Sequence, residues 1–271
     1  MSEREFVIPI GPQHPALKEP ESFYFTVDGE TVVDVDPRIR YNQLGIEKAM
    51  ESRNYIQNLY IVERICGICS NDHQTAYTGS VEVAGDIGIP ERAKYIRVFV
   101  QELERIHSHL LWLGLAAHEI KFDTLFYYVW RDRELVMDLL EEVSGNRVNY
   151  AMPTVGGVRR DLPKAKHDEW HKMLDKLAER TEYYIKVAST EQTILERAVG
   201  VGYLSKEDMI RLSVACDNRH CSPYLIYDEI DFDHVVVDNG DALGQVLVRV
   251  LETLESVKIC KWCWITFPRE R

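Results

Sequence analysis

The chain has 271 residues, 45% hydrophobic and 28% charged, and its 44 acidic against 32 basic side chains leave a net charge of -12. That length suffices for one large domain or two small ones with a sizeable core, and the acidic balance removes the basic face that nucleic-acid binding needs. No apolar run reaches the roughly 18 residues of a membrane-spanning helix, the first residues form no signal-peptide pattern, and six cysteines without secretory features point to reduced thiols in the cytoplasm.

From Phe6 to Ile10 and from Ser22 to Val27 the chain reads as β-strand, and Asp28-Gly29 is a hairpin signal into a third strand, Thr31 to Val35. These runs predict a small antiparallel sheet. Between the first two lies a loop fixed by Pro12, Pro15 and Pro20, which carries His14 and Glu19. By themselves those two side chains read as a solvated loop pair. A helical pattern follows from about Gln43 to Tyr60, and another from Asn71 to Ala84 with His73 in its first turn.

Residues 91 to 120 carry the clearest period. Ile96, Phe99, Val100, Leu103, Ile106, Leu110 and Leu113 recur at spacings of three and four, the stripe of a long core-facing helix. His107, His109 and His118 lie on or near it, but His107 and His109 point to different faces and read as core or surface residues, not metal ligands. Phe122 to Val143 predicts a second long helix, stopped at Gly145-Asn146. A third, over about 164 to 195, turns Trp170, Leu174, Leu177, Tyr184 and Val187 inward. Ser205 to Asp208 has the shape of a capping box before a short helix through Leu212, and Ala242 to Lys258 is again strongly helical. The expected class is α+β, mainly α: a long-helix bundle with a small N-terminal antiparallel sheet. Its expected organisation is a sheet region over 1–40, a helical core over 41–258 and an atypical tail over 259–271, integrated into one domain.

The stretch that carries chemistry is Glu63-Arg64-Ile65-Cys66-Gly67-Ile68-Cys69-Ser70-Asn71-Asp72-His73. Two thiols three residues apart reach the same side of a turn or helix start and can share one metal ion. The bare pair is equally compatible with a redox dithiol, half a zinc site or chance. His73, taken alone, reads as a capped, hydrogen-bonded histidine.

Arg64-Ile65-Cys66-Gly67-Ile68-Cys69, with His73 four residues on, resembles the N-terminal nickel-binding motif of [NiFe] hydrogenase large subunits. Gly11-Pro12-Gln13-His14-Pro15 and Leu44-Gly45-Ile46-Glu47-Lys48 resemble the opening of the membrane-bound, energy-converting group and of the related 49 kDa subunit of respiratory complex I, the NADH:quinone oxidoreductase. So do the blocks Ile89 to Arg97, Glu102 to Leu111, Gly145 to Tyr150 and Gly156 to Asp161. The cysteines point to the hydrogenase branch.

The resemblance implies a hydrogenase large-subunit fold and a [NiFe] centre with diatomic ligands on iron, held by Cys66, Cys69 and a second cysteine pair. It implies proton reduction or H2 oxidation, with Cys69 bridging the metals, Glu19 carrying protons (Glu21 is its alternative) and His73 supporting from behind the ligands. The implied partners are a small subunit that holds the [4Fe-4S] cluster, membrane-arm subunits and a ferredoxin-like carrier. The implied location is peripheral, on the cytoplasmic side of the cell membrane. The family's Asp-Pro-Cys-x-x-Cys motif does not occur in these 271 residues. Cys260 and Cys263 are the first candidate replacements, and Cys216 and Cys221 are the other candidates. Replacement ligands, a zinc site and an incidental tail all remain open for Cys260 and Cys263. A complex-I-like structural and coupling subunit without metal is the alternative function.

Overall fold

The computed structural model describes residues 5–17, 19–39, 41–163, 166–213 and 225–268. Two compact units divide the chain, Met1–Arg53 and Asn54–Arg271. The boundary falls after a short helix, α1 (Ile46–Met50), that belongs with the sheet, so it lies beyond the expected residue 40.

The first unit holds β1 (Glu5–Ile10), β2 (Ser22–Asp28) and β3 (Thr31–Arg38) in an antiparallel sheet of that order. Ile8 pairs with Phe25, and Phe25 with Val35. The two-residue period therefore gathers Phe6, Ile8, Phe23, Phe25, Val27 and Val35 on one face.

The second unit is helical. It runs α2 (Tyr55–Val62), α3 (Ser70–Gly85), α4 (Glu91–Glu119) and α5 (Asp123–Ser144), then a two-stranded hairpin of β4 (Pro153–Thr154) and β5 (Gly157–Val158). After it come α6 (His167–Thr190), α7 (Gln192–Ala198), α8 (Lys206–Arg211) and α9 (Ala242–Thr266). The mainly α class with a small N-terminal sheet is the one expected.

Helix α4 is the axis of this unit, packed against α5 on one side and α9 on the other, with α6 against α9. Its apolar stripe is buried throughout, from Ile96 to Leu113. Phe99 meets Trp264 of α9 at 5.6 Å, and Trp264 meets Trp170 of α6 at 4.9 Å, so three helices share one aromatic layer.

The fully buried Arg97 ties α4 to α3 and to the hairpin. It donates Nη1 to Glu82 Oε2 at 2.9 Å and Nη2 to Glu82 Oε1 at 2.6 Å, and reaches the carbonyls of Thr154 and Gly157. Glu82 also accepts from the N–H of Gly156.

Three element boundaries differ from expectation. The run expected over 43 to 60 is two helices, because Asn54 caps α2 in a reciprocal box with Gln57 and so starts a new one. The helix expected over 164 to 195 divides at Glu191, whose backbone is extended. Helix α9 continues past Lys258 to Thr266, since Cys260, Cys263 and Trp264 all find places in the core. The expected tail thus begins inside a helix.

Candidate metal centre

Helix α2 ends at Val62, and the N–H groups of Arg64 and Ile65 bond back to its last turn. That closure delivers Cys66 into a tight turn. Its Sγ accepts from the N–H of Ile68 at 3.4 Å and of Cys69 at 3.3 Å. Cys69 is the N-cap of α3, and its carbonyl accepts the N–H of His73. Both thiols are partly exposed. A side chain on Gly67 would come against Val148, so the segment after α5 backs this turn closely.

The free N–H groups at the start of α3 are satisfied from another helix. Glu104 of α4, 1% exposed, takes the N–H of Asn71 on Oε1 at 2.8 Å and that of Asp72 on Oε2 at 3.0 Å, with the Ser70 hydroxyl at 3.1 Å. The Ser70 hydroxyl also donates to the carbonyl of Val148. Glu104 therefore fixes the helix end on which Cys69 sits.

Burial dominates the electrostatics. It pushes the Glu104 carboxyl up to about 8, with Asp72 adding to the rise and the three donors opposing it. The Cys69 thiol is pushed up to about 12 by burial, by Cys66, and by the carboxylates of Glu104 and Asp72. Asp72 is exposed on the groove, yet desolvation by the surrounding protein raises its carboxyl, which Arg105 eases. Asp72 opens on a groove of about 1010 Å³ between α3 and α4, whose inner end carries Gln101 and Arg105. The turn offers a metal cation its two thiols, and a bound cation would invert this balance by favouring their ionised forms.

The other predicted residues lie elsewhere. Cys260 and Cys263 are fully buried in the apolar core, and the Cys260 thiol donates to the Phe99 carbonyl at 3.8 Å. Burial first, and Glu102 next, raise both thiols well above the ordinary range. Cys216 and Cys221 fall outside the described residues. Among the described residues no three His, Cys, Asp or Glu side chains converge to hold a metal ion. The described chain thus supplies Cys66 and Cys69 and does not fit a four-thiolate centre.

Glu19 is exposed in the first unit, where it accepts from Asn42 Nδ2 at 2.7 Å and lines a cavity of about 480 Å³ with Glu21 and Glu47. His73 is half-buried in the first turn of α3. The histidines of the α4 region have protein partners: His107 with Arg133, His109 with Glu252 and His118 with Asp123. Glu104 is the residue that sequence reasoning missed. Its signal was a carboxylate set between Leu103 and Ile106 on an apolar stripe.

Two family models match the chain. That of the respiratory-chain NADH dehydrogenase 49 kDa subunit covers residues 120–271, and that of nickel-dependent hydrogenase covers residues 44–117. The chain is similar to the membrane-bound hydrogenase subunit alpha of Pyrococcus furiosus, at 56% identity over 155 residues, which are 57% of this chain and 36% of that protein. It is 36% identical to the carbon monoxide-induced hydrogenase of Rhodospirillum rubrum, over 97% of this chain and 76% of the relative. Among solved structures, a chain of an archaeal membrane-bound sulfane sulfur reductase, a respiratory membrane complex, superposes with a TM-score of 0.90 at 28% identity. That match covers 100% of this chain and 76% of the other. The chain thus spans only part of each relative, little more than a third of the Pyrococcus protein.

Proposed function

The chain belongs to the family that unites the large subunits of membrane-bound nickel-dependent hydrogenases with the 49 kDa subunit of respiratory-chain NADH dehydrogenase, and on that footing we propose that it is the large subunit of an energy-converting [NiFe] hydrogenase complex. The observation that carries this reading is the intact cysteine turn, with Cys66 and Cys69 side by side at the start of α3 and a buried carboxyl behind them. In that role the two thiols are the N-terminal half of the metal set, and the other half comes from outside the described residues. The chemistry supplied by a bound nickel-iron centre is proton reduction or H2 oxidation.

The chain's own residues do the holding. Two backbone N–H groups orient the Cys66 sulfur, Glu104 fixes the helix end that carries Cys69, and His73 stands one turn away. Glu19 is the proposed proton carrier. Electrons pass through an iron-sulfur small subunit to a ferredoxin-like carrier, and membrane-arm subunits hold the assembly on the cytoplasmic side of the membrane. A second reading is favoured by the burial of Cys260 and Cys263 in the core. In it the chain is a complex-I-like structural and coupling subunit without the metal.

Metal analysis by mass spectrometry, on the chain purified with its native partners, separates the two. Nickel, with iron beyond that of the partner clusters, supports the hydrogenase reading, and Cys66→Ser is then expected to abolish nickel retention. Nickel content unchanged by that substitution would sink the ligand assignment. A complex without nickel leaves the coupling subunit.

A further inference from the structure

Behind the cysteine turn lies a group of buried polar side chains whose hydrogen bonds the described residues do not complete. His107 is 1% exposed and one turn along α4 from Glu104, on the same side of the helix. Its Nε2 meets Arg133 Nη2 of α5 at 2.6 Å. A guanidinium only donates, so His107 is the neutral tautomer with its proton on Nδ1. Burial and the Arg133 charge both oppose a second proton on the ring.

Among the described residues that Nδ1 has no partner. Neither does Arg133 Nε, nor the hydroxyl of Tyr150, a residue 3% exposed in the segment that follows α5. The segment that carries Tyr150 is held beside Glu104, because the Ser70 hydroxyl reaches both Glu104 Oε1 at 3.1 Å and the carbonyl of Val148, two residues before Tyr150, at 2.7 Å, and His107, one turn from Glu104, brings in Arg133. Orphaned groups of this kind are rare in native interiors, and internal water is their usual complement.

We propose that Tyr150, Arg133 and His107 bind internal water, and that this water joins Glu104, at the cysteine turn, to solvent beside the half-buried Arg133. Water suits the site better than an anion. The open nitrogens of His107 and Arg133 need an acceptor, while the Tyr150 hydroxyl can give as well as take a hydrogen bond, and water meets both needs because it accepts and donates. The result is a hydrogen-bonded route for protons between the carboxyl behind Cys69 and the outer face of α5. Tyr150 is a positioning residue in it. The route needs no metal in the turn.

Crystal structures of the wild-type chain and of Tyr150→Phe in the native complex, at a resolution that shows ordered water, test the proposal. In the wild type, waters are expected within hydrogen-bonding reach of Tyr150 Oη and Arg133 Nε, with no gap above about 3.2 Å between Glu104 and the surface. Tyr150→Phe is expected to lose the water at the hydroxyl position and to interrupt the chain. A dry cluster, direct protein partners on the open groups, a bound anion, a broken chain in the wild type or an unbroken one in the variant would each overturn it. Should the variant fail to assemble, the wild-type map decides alone.

Discussion

Glu104 shows how much one side chain decides. It is a helix cap supplied by a different helix, and it holds the end of α3 from which Cys69 projects. Its carboxyl is pushed from the ordinary 4.5 up to about 8, mainly by burial. Between those values the folded chain binds more protons than the unfolded one, so the wild type loses stability as pH rises through this window, by up to about 1.4 kcal/mol per unit. Glu104→Gln keeps the shape without the titration. Urea unfolding of both proteins is expected to show Glu104→Gln at its greatest disadvantage near pH 5, with the gap closing or reversing by pH 8. Parallel stability curves would disprove the shifted carboxyl. The residue was legible as a position in a family-like block and not as a cap, because its partners lie more than thirty residues earlier in the chain.

Among the elements, α3, α4 and α9 divide the labour. Helix α3 presents the cysteine turn, α4 braces the start of α3 with Glu104 and its far end with Arg97, and α9 closes the core. Arg97→Ala leaves Glu82 buried without its counter-charge and is expected to cost about 3–5 kcal/mol in denaturant unfolding. A loss under about 1 kcal/mol would mean that Glu82 finds another partner. In α9, the burial of Cys260 predicts a packing role in this fold. Cys260→Ala is expected to cost about 1–2 kcal/mol of stability and to leave the metal content of the complex unchanged. A loss of nickel from that variant would instead make Cys260 a ligand. The sequence displayed the α4 stripe clearly, since a core-facing helix repeats its apolar residues every three or four positions. The break between α1 and α2 was not read from the sequence, because the apolar pattern runs on both sides of Asn54, whose capping role the structure supplies.

For the molecule as a whole, the absence of any helix long and apolar enough to cross a membrane among the described residues stands beside relatives that are parts of membrane-bound complexes. Attachment through other subunits, as in the proposed function, would reconcile the two. In fractionated cells the chain is expected with the membranes, released by an alkaline carbonate wash that leaves spanning proteins behind. Retention through that wash would point to direct insertion. The net charge of -12 does not oppose docking on protein partners, where complementarity of charge is local.

While the family came from the resemblance of whole motif blocks, short-range spacing along the chain was enough to establish the mainly α class, the N-terminal sheet, the central helix and the cysteine turn. Each is written as an alternation, a helical period or two thiols three residues apart. Packing between distant segments was needed to show that Glu104 caps α3, that Arg97 is neutralised by Glu82, that Tyr150, Arg133 and His107 share one buried neighbourhood, and that Cys260 and Cys263 lie in the core. Those facts depend on which helices meet, and burial and charge pairing between remote residues leave no periodic trace in the order of amino acids.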